Sequence, residues 1–370
     1  MYSFKFPTEV KYFESLDSFM DYAKMEKSDL LITNRPIYEQ FKDFNVKCRI
    51  IFQEDFGSGE PSDRMINSII RELDKFKYDR VFAMGGGTVI DVAKVLSLSG
   101  VQNVLDALYG RIPLSKGHRL LVIPTTCGTG SEVTNIAILE DTEAHVKKGI
   151  VGPAVFPDEA ILVPELLKKL PYKFFAFSSI DALIHAIESY LAPASNIITE
   201  MFAVKAIKNI LEAYQDIAKD GPEARIKNMA QVLIASNFAG IAFGNTGVGV
   251  VHAMSYPLGG KYHVAHGEAN YAFLDVALQK YASIHPYGKI RSLQSIIAKI
   301  LVVESAEQAI SALGVLLNQI IPLKRIREYG VQESELEAFT QSAMEQERLM
   351  KNNYIGLRFN DILEMYKSRF

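Results

Sequence analysis

The chain has 370 residues, 48% of them apolar, a formal net charge of −3 and two cysteines. That length exceeds one ordinary core and predicts two domains, and the slight acidity leaves no basic footprint for nucleic acid. Cys48 and Cys127 are too few and too far apart for a disulfide scaffold, the first residues lack a signal peptide's apolar stretch, and no run approaches the roughly 20 apolar residues of a membrane span, so a cytoplasmic protein with no membrane partner is expected.

Short apolar runs alternate with amphipathic stretches in the first half. Leu30–Thr33 and Arg49–Phe52 read as strands. Met65, Ile66, Ile69, Ile70 and Leu73 make one helical stripe. Arg80–Met84 is a strand running into three glycines, Val89–Leu98 a helix, and Leu120–Ile123 and Ala160–Val163 further strands. This rhythm predicts parallel βαβ units. Pro164 and Pro171 bracket a linker or short helix. Beyond Phe174 strand signals fade, and helices are predicted over 179–191, 198–213, 224–242, 294–300, 305–317 and 333–345. The expected organisation is an α/β domain over residues 1–168, with a parallel sheet that binds a dinucleotide, and an all-α, metal-binding domain over 169–370.

Two loops follow strands of the first domain. In Met84-Gly-Gly-Gly-Thr-Val-Ile-Asp91, the glycines let a backbone approach a pyrophosphate, and the helix behind them offers free N–H groups. Thr88 adds a hydroxyl. In Pro124-Thr-Thr-Cys-Gly-Thr-Gly-Ser-Glu-Val-Thr134, hydroxyls and glycines suit phosphate, ribose or nicotinamide, with Cys127 as a small buried filler. Each loop alone could be a bare turn. As a pair they converge on one sheet edge, where open α/β sheets bind ligands.

The second domain carries a histidine constellation. Asp181 and His185 share one helical face at i, i+4. His252, His263 and His266 lie in a second segment, 249–268. On an unbroken helix His252 and His266 would sit about 21 Å apart. Pro257, Gly259 and Gly260 lie between them and are expected to break the helix and let the chain turn back. One carboxylate and three imidazoles suit a divalent transition metal with room for a substrate oxygen. His118, His145 and His285 are expected at the surface.

Together these residues resemble the iron-containing alcohol dehydrogenase family, within the wider dehydroquinate synthase-like fold. The resemblance is carried by Gly85-Gly-Gly-Thr-Val-Ile-Asp-Val-Ala-Lys94, Pro124–Thr134, Asp181–His185, His252-Ala-Met254 and His266-Gly267, and is collinear over nearly the whole chain. It implies Asp181, His185, His252 and His266 as metal ligands, with iron(II) favoured and zinc the alternative. It implies a cofactor site of Asn34, Gly85, Gly86, Gly87, Thr88, Asp91, Thr125, Thr126, Thr129, Ser131 and Lys147. The chain departs from the family where Tyr256 replaces a relay histidine, where His263 is extra, and where Asn34 followed by Arg35 replaces a ribose-binding aspartate. Tyr256 and His263 are therefore the candidates for moving the proton. NAD is the favoured cofactor and NADP the alternative, because an amide does not repel a 2′-phosphate.

Segments 52–62, 170–175 and 256–271 are similar to a branch of the family that interconverts 4-hydroxybutyrate and succinate semialdehyde. This implies an alcohol or aldehyde substrate bearing a carboxylate, with Lys173, Lys261, Tyr262 and Arg358 as candidate anchors, and a homodimer. The alternatives are a butanol-, propanediol- or glycerol-like substrate, or a non-redox lyase on the same fold.

Overall fold

The computed structural model describes residues 2–370. The chain divides into two compact units, one of residues 6–170 and one of residues 171–370 together with the segment ending at Lys5. That short segment joins the helical unit because Asn245 clamps it. The Lys5 N–H donates to Asn245 Oδ1 at 2.7 Å, and Asn245 Nδ2 donates to the Lys5 carbonyl at 3.1 Å. Phe4 stacks on Phe202 beside it.

The first unit is built on β1 (Glu9–Tyr12), β2 (Asp29–Thr33), β3 (Arg49–Phe52), β4 (Arg80–Gly85), β5 (Arg119–Pro124), β6 (Ile136–Asp141), β7 (Val146–Val151) and β8 (Glu159–Leu162). Six of these form one parallel sheet in the order β1-β8-β5-β4-β2-β3. Alternation along the strands fills two cores. Leu30, Ile32, Val81, Ala83, Leu120 and Val122 face one way. Leu31, Phe82, Met84, Leu121 and Ile123 face the other. Both faces are therefore apolar, as a sheet covered on both sides by helices requires. The helices are α1 (Leu16–Ala23), α2 (Arg35–Tyr38), α3 (Asp63–Glu72), α4 (Gly87–Leu96) and α5 (Val104–Leu108).

The central strands and the two helices expected here all form within two residues of their predicted ends. Sequence reasoning passed over β1, α1 and the antiparallel hairpin β6–β7. Burial alternates along β6, but Ile136-Ala-Ile-Leu-Glu-Asp141 does not alternate apolar with polar residues, so no period of two marked it in the sequence.

The helical unit comprises α6 (Tyr172–Leu191), α7 (Ile197–Asp220), α8 (Arg225–Thr246), α9 (Val250–Tyr262), α10 (His266–Tyr271), α11 (Leu274–Ile284), α12 (Lys289–Leu301), α13 (Ala309–Ile320), α14 (Leu336–Met344), α15 (Glu347–Met350) and α16 (Phe359–Arg369). From Ser179 to Leu191 every residue of α6 is buried, which marks it as the central helix of the unit. It starts directly after Pro171, a full two turns before the predicted start at Ser179.

The break between His252 and His266 is not where the sequence suggested. Helix α9 runs through Pro257, Gly259 and Gly260 and stops only at His263, whose φ of +53° is left-handed. Each glycine costs a helix about 1 kcal/mol, which tertiary packing overrides. Three residues later α10 begins at His266.

Candidate metal centre and cofactor edge

Helix α6 presents Asp181, His185 and Glu188 at i, i+4 and i+7, one face over two turns. Helix α9 brings His252 against that face. The turn at 263–265 then lets α10 return and lay His266 beside Asp181. Gly267 makes the approach close enough, since a Cβ there would lie 2.3 Å from the Phe177 carbonyl oxygen of α6.

One potential ligand atom from each of Asp181, His185, His252 and His266 lies within 4.8 Å of all the others. His252 Nε2 is 3.1 Å from His185 Nε2 and 3.9 Å from Asp181 Oδ1, and His266 Nε2 is 3.8 Å from Asp181 Oδ1. The first three side chains are buried, whereas that of His266 is 38% exposed. His266 is thus the open side of the cluster. Phe243 stacks on the His185 ring at 4.2 Å and closes another side.

The donor set fits a metal on chemical grounds. Glu188 Oε2 lies 2.6 Å from His252 Nδ1, and its Oε1 accepts the Val251 N–H at 2.8 Å. A carboxylate only accepts, so Nδ1 of His252 carries the proton and Nε2 carries the lone pair. That lone pair faces the Nε2 of His185. Two ring nitrogens converging with a carboxylate in a buried pocket are what a cation with bonds of about 2 Å would satisfy. Burial alone would raise the Asp181 carboxyl, but His185, His266 and His252, together with a 2.7 Å hydrogen bond from Asn270, bring it below its ordinary value. The site is tuned to hold Asp181 as an anion.

Sequence reasoning missed Glu188 and Asn270. Both carried a spacing signal, Glu188 three residues after His185 and Asn270 four after His266. The two proton-path candidates also have definite places. Tyr256 is half-buried on α9, one turn beyond His252, while His263 is exposed at the left-handed turn. His145 and His285 are exposed as expected, but His118 is half-buried against Tyr78 at 4.2 Å.

The cofactor candidates sit at the C-terminal edge of the parallel sheet. The three glycines differ in why they are glycine. A Cβ at Gly85 would meet Val89 at 2.6 Å, and one at Gly87 would meet Thr129 at 2.9 Å. At Gly86 nothing of the protein lies closer than Thr126 at 3.4 Å. The fold by itself therefore does not demand a bare backbone at Gly86. The Thr125 N–H donates to the Gly85 carbonyl at 3.0 Å and ties the two loops together. Thr126 and Thr129 are half-buried beside the glycines, and Cys127 is buried.

Asp91 and Ser131, expected in the cofactor set, are bonded to each other and to the backbone of β6. Ser131 Oγ donates to Asp91 Oδ1 at 2.6 Å, and Asp91 Oδ2 accepts the Ile138 N–H at 2.8 Å. Lys94, fully buried, donates to Ser131 Oγ at 2.7 Å, Thr134 Oγ1 at 3.1 Å and the Ile136 carbonyl at 2.6 Å. Burial pushes the Lys94 ammonium down to about 8, against the opposing pull of Asp91 and Glu132. These groups face inward because the loop after β5 needs internal polar support, and they shape it from behind. Thr88 Oγ1 donates to the Gly59 carbonyl at 3.0 Å, and Lys147 pairs with Glu60 at 2.7 Å. Asn34 spends its Nδ2 on Gln53 and Glu54, at 3.2 and 3.0 Å.

Among the expected carboxylate anchors, Lys261 and Tyr262 both bind Glu335, and Arg358 lies 3.4 Å from Asp361. Lys173 is 62% exposed and 3.7 Å from Glu268.

Comparison with known proteins agrees with this geometry. The model of the iron-containing alcohol dehydrogenases matches residues 12–164, and that of the C-terminal part of the Fe-containing alcohol dehydrogenase family matches 175–370. The chain belongs to the iron-containing alcohol dehydrogenase family. It is an oxidoreductase that acts on a small-molecule alcohol. Among curated relatives of the family, it is 46% identical to the 4-hydroxybutyrate dehydrogenase of Clostridium kluyveri over 99% of both chains. The iron-containing alcohol dehydrogenase of Thermococcus thioreducens superposes with a TM-score of 0.83 at 25% identity, over 99% of both chains. The sulfoacetaldehyde reductase of Bifidobacterium kashiwanohense, solved with NAD+, shares the fold with a TM-score of 0.87 at 22% identity, over 100% of this chain and 98% of that one.

Proposed function

We propose that this enzyme interconverts 4-hydroxybutyrate and succinate semialdehyde with NAD(H), using one divalent metal held by Asp181, His185, His252 and His266. The observation that carries the reading is the convergence of those four side chains around a buried point with one open side. The full-length similarity to a 4-hydroxybutyrate dehydrogenase supports the substrate. The bare backbone at Gly86 supports the dinucleotide, as does the NAD+ held by a protein of the same fold.

The unit of residues 6–170 serves as the dinucleotide-binding domain and that of residues 171–370 as the metal-binding domain. A divalent metal bound by the four side chains supplies Lewis acidity, which stabilises negative charge on the substrate oxygen. The protein's own part is to hold and aim. Glu188 fixes the tautomer of His252, and Asn270 steadies Asp181 and His266, with its Nδ2 donating to Asp181 Oδ1 and lying 3.1 Å from His266 Nε2. The free N–H groups at the start of α4 take the pyrophosphate, and Thr125, Thr126 and Thr129 line the loop beside it. His263 exchanges the reaction proton with solvent, because it is exposed at the turn and its ring nitrogens can accept a proton and give one up, while Tyr256 is half-buried on α9.

Lys173 takes the substrate carboxylate. It lies about two helical turns before Asp181 on α6, 3.7 Å from Glu268, and it is the least committed of the four candidates. Among the described residues no single helix is long and apolar enough to cross a membrane. A cytoplasmic homodimer completes the reading.

The test is turnover of NADH with succinate semialdehyde, butanal and glyceraldehyde, with metal content measured on the same sample. Preference for the carboxylate-bearing aldehyde, loss of turnover on chelation and recovery with iron(II) or zinc are expected. Preference for the uncharged aldehydes, or turnover indifferent to chelation, would overturn the reading.

A further inference from the structure

The ends of β4, β2 and β3 lie side by side, with Thr33 level with both Met84 and Phe52. Neighbouring strands are about 4.8 Å apart, so Gly86, Asn34 and Glu54, just beyond these ends, share one edge. In an open sheet the end of the strand beside the glycine turn receives the ribose of a dinucleotide. Here that position holds an amide, Asn34, followed by a cation, Arg35. Taken alone, the pair would welcome a 2′-phosphate.

The surrounding side chains reverse that expectation. Glu54 reaches across from the end of β3. Its Oε2 accepts Asn34 Nδ2 at 3.0 Å, and its Oε1 accepts the Arg35 N–H at 2.7 Å. The carboxylate is thereby drawn to the end of β2 while staying 33% exposed. Arg35 stays beside it, with Nη1 3.8 Å from Glu54 Oε1, but its donors are taken by Asp55. Its guanidinium makes paired hydrogen bonds to Asp55, at 2.6 and 2.8 Å, and lies over the Phe52 ring at 4.6 Å. A guanidinium forked onto a carboxylate is already matched in charge and geometry.

We infer that Glu54 supplies the carboxylate that selects NAD(H) over NADP(H), and that Asp55 enforces the choice by occupying the Arg35 guanidinium that would otherwise pair with a 2′-phosphate. Each Glu54 oxygen has one bond from the protein and a lone pair to spare, so it accepts a ribose hydroxyl. A 2′-phosphate would bring a like charge against it, and like charges in contact discriminate strongly between ligands. The inference rests on the nicotinamide-cofactor reading above.

The experiment measures the dissociation constants of NADH and NADPH for the metal-loaded protein without substrate. The nicotinamide's own fluorescence is the signal, and kcat/KM is measured for both. In Glu54→Gln the NADPH-to-NADH ratio of dissociation constants should fall at least tenfold. In Asp55→Asn, NADPH should tighten with NADH unchanged, and adding Arg35→Leu should abolish the gain. A ratio unchanged in Glu54→Gln overturns the inference, as does a Glu54→Gln variant that weakens both nucleotides equally. If Glu54→Gln does not fold, an unchanged ratio in Asp55→Asn overturns it instead. Failure of the wild-type protein to bind either nucleotide would refute the cofactor reading itself.

Discussion

His252 Nδ1 and Glu188 Oε2 are 2.6 Å apart and both buried, and neither residue is near the other in sequence. This contact decides which nitrogen of His252 points into the cluster. Partners of this kind raise the basicity of a metal-bound imidazole, and their loss typically costs 10–100-fold in metal affinity. Glu188→Gln keeps the shape but weakens the hold on the tautomer. Metal affinity, read by competition with a chelator, should fall about tenfold or more. Unaltered affinity would leave Glu188 with a packing role only.

Gly267 tests the geometry rather than the ligands. In Gly267→Ala the new methyl meets the Phe177 carbonyl oxygen at 2.3 Å and its carbon at 2.9 Å, both backbone atoms that cannot swing aside. Helix α10 must then back away from α6, taking His266 with it. Thermal stability should drop by about 1–3 kcal/mol, and metal content should fall with it. A variant that binds metal as the wild type does would show that the close approach is not what positions His266.

The three glycines after β4 separate packing from ligand binding. Gly85→Ala drives a methyl into Val89 and should destabilise the fold. Gly86→Ala places its methyl in ordinary contact with Thr126, so folding and metal content should hold while NADH affinity falls about tenfold or more. Calorimetry and nucleotide titration on the two variants give opposite patterns if this is right.

His263 needs a substitution that keeps its left-handed turn. Asparagine tolerates that backbone but cannot shuttle protons. With normal metal content, His263→Asn should lose about 100-fold in turnover and regain part of it with added imidazole. Wild-type turnover would assign His263 to the turn alone.

Glu159 gives a pH signature in the first unit. Burial would raise its carboxyl, but hydrogen bonds from Tyr22 and Lys11 and the charges of Lys11 and Arg119 outweigh this and hold it below 4.5. The folded carboxyl is thus the stronger acid, so the unfolded state binds more protons in the acid range. Stability from Glu159 is present above pH 4.5 and is lost as the pH falls through the lowered value. Acid titration of stability should be shallower in Glu159→Gln, and an identical slope would mean that the carboxyl is not depressed.

The sequence by itself determined the parts that are local. Alternating apolar strands, the glycine turn after β4 and the i, i+4 pair Asp181–His185 each follow from neighbours a few residues away, where backbone sterics and periodicity act. Five candidate ligands, Asp181, His185, His252, His263 and His266, were legible because unusual residue types recur in short segments, and the family resemblance narrowed them to four. Tertiary structure decided what depends on distant neighbours. Pro257 and two glycines signal a break, yet α9 continues, because packing outweighs a helix cost of about 1 kcal/mol per glycine, and the turn falls at His263. Asp91 and Ser131 stand in separate loops, and only the fold bonds them to each other and to the buried Lys94. At Asn34 the sequence shows an uncharged amide. Only the neighbouring strand, twenty residues on, brings a carboxylate to its side chain, because parallel strands set side by side what the chain keeps apart.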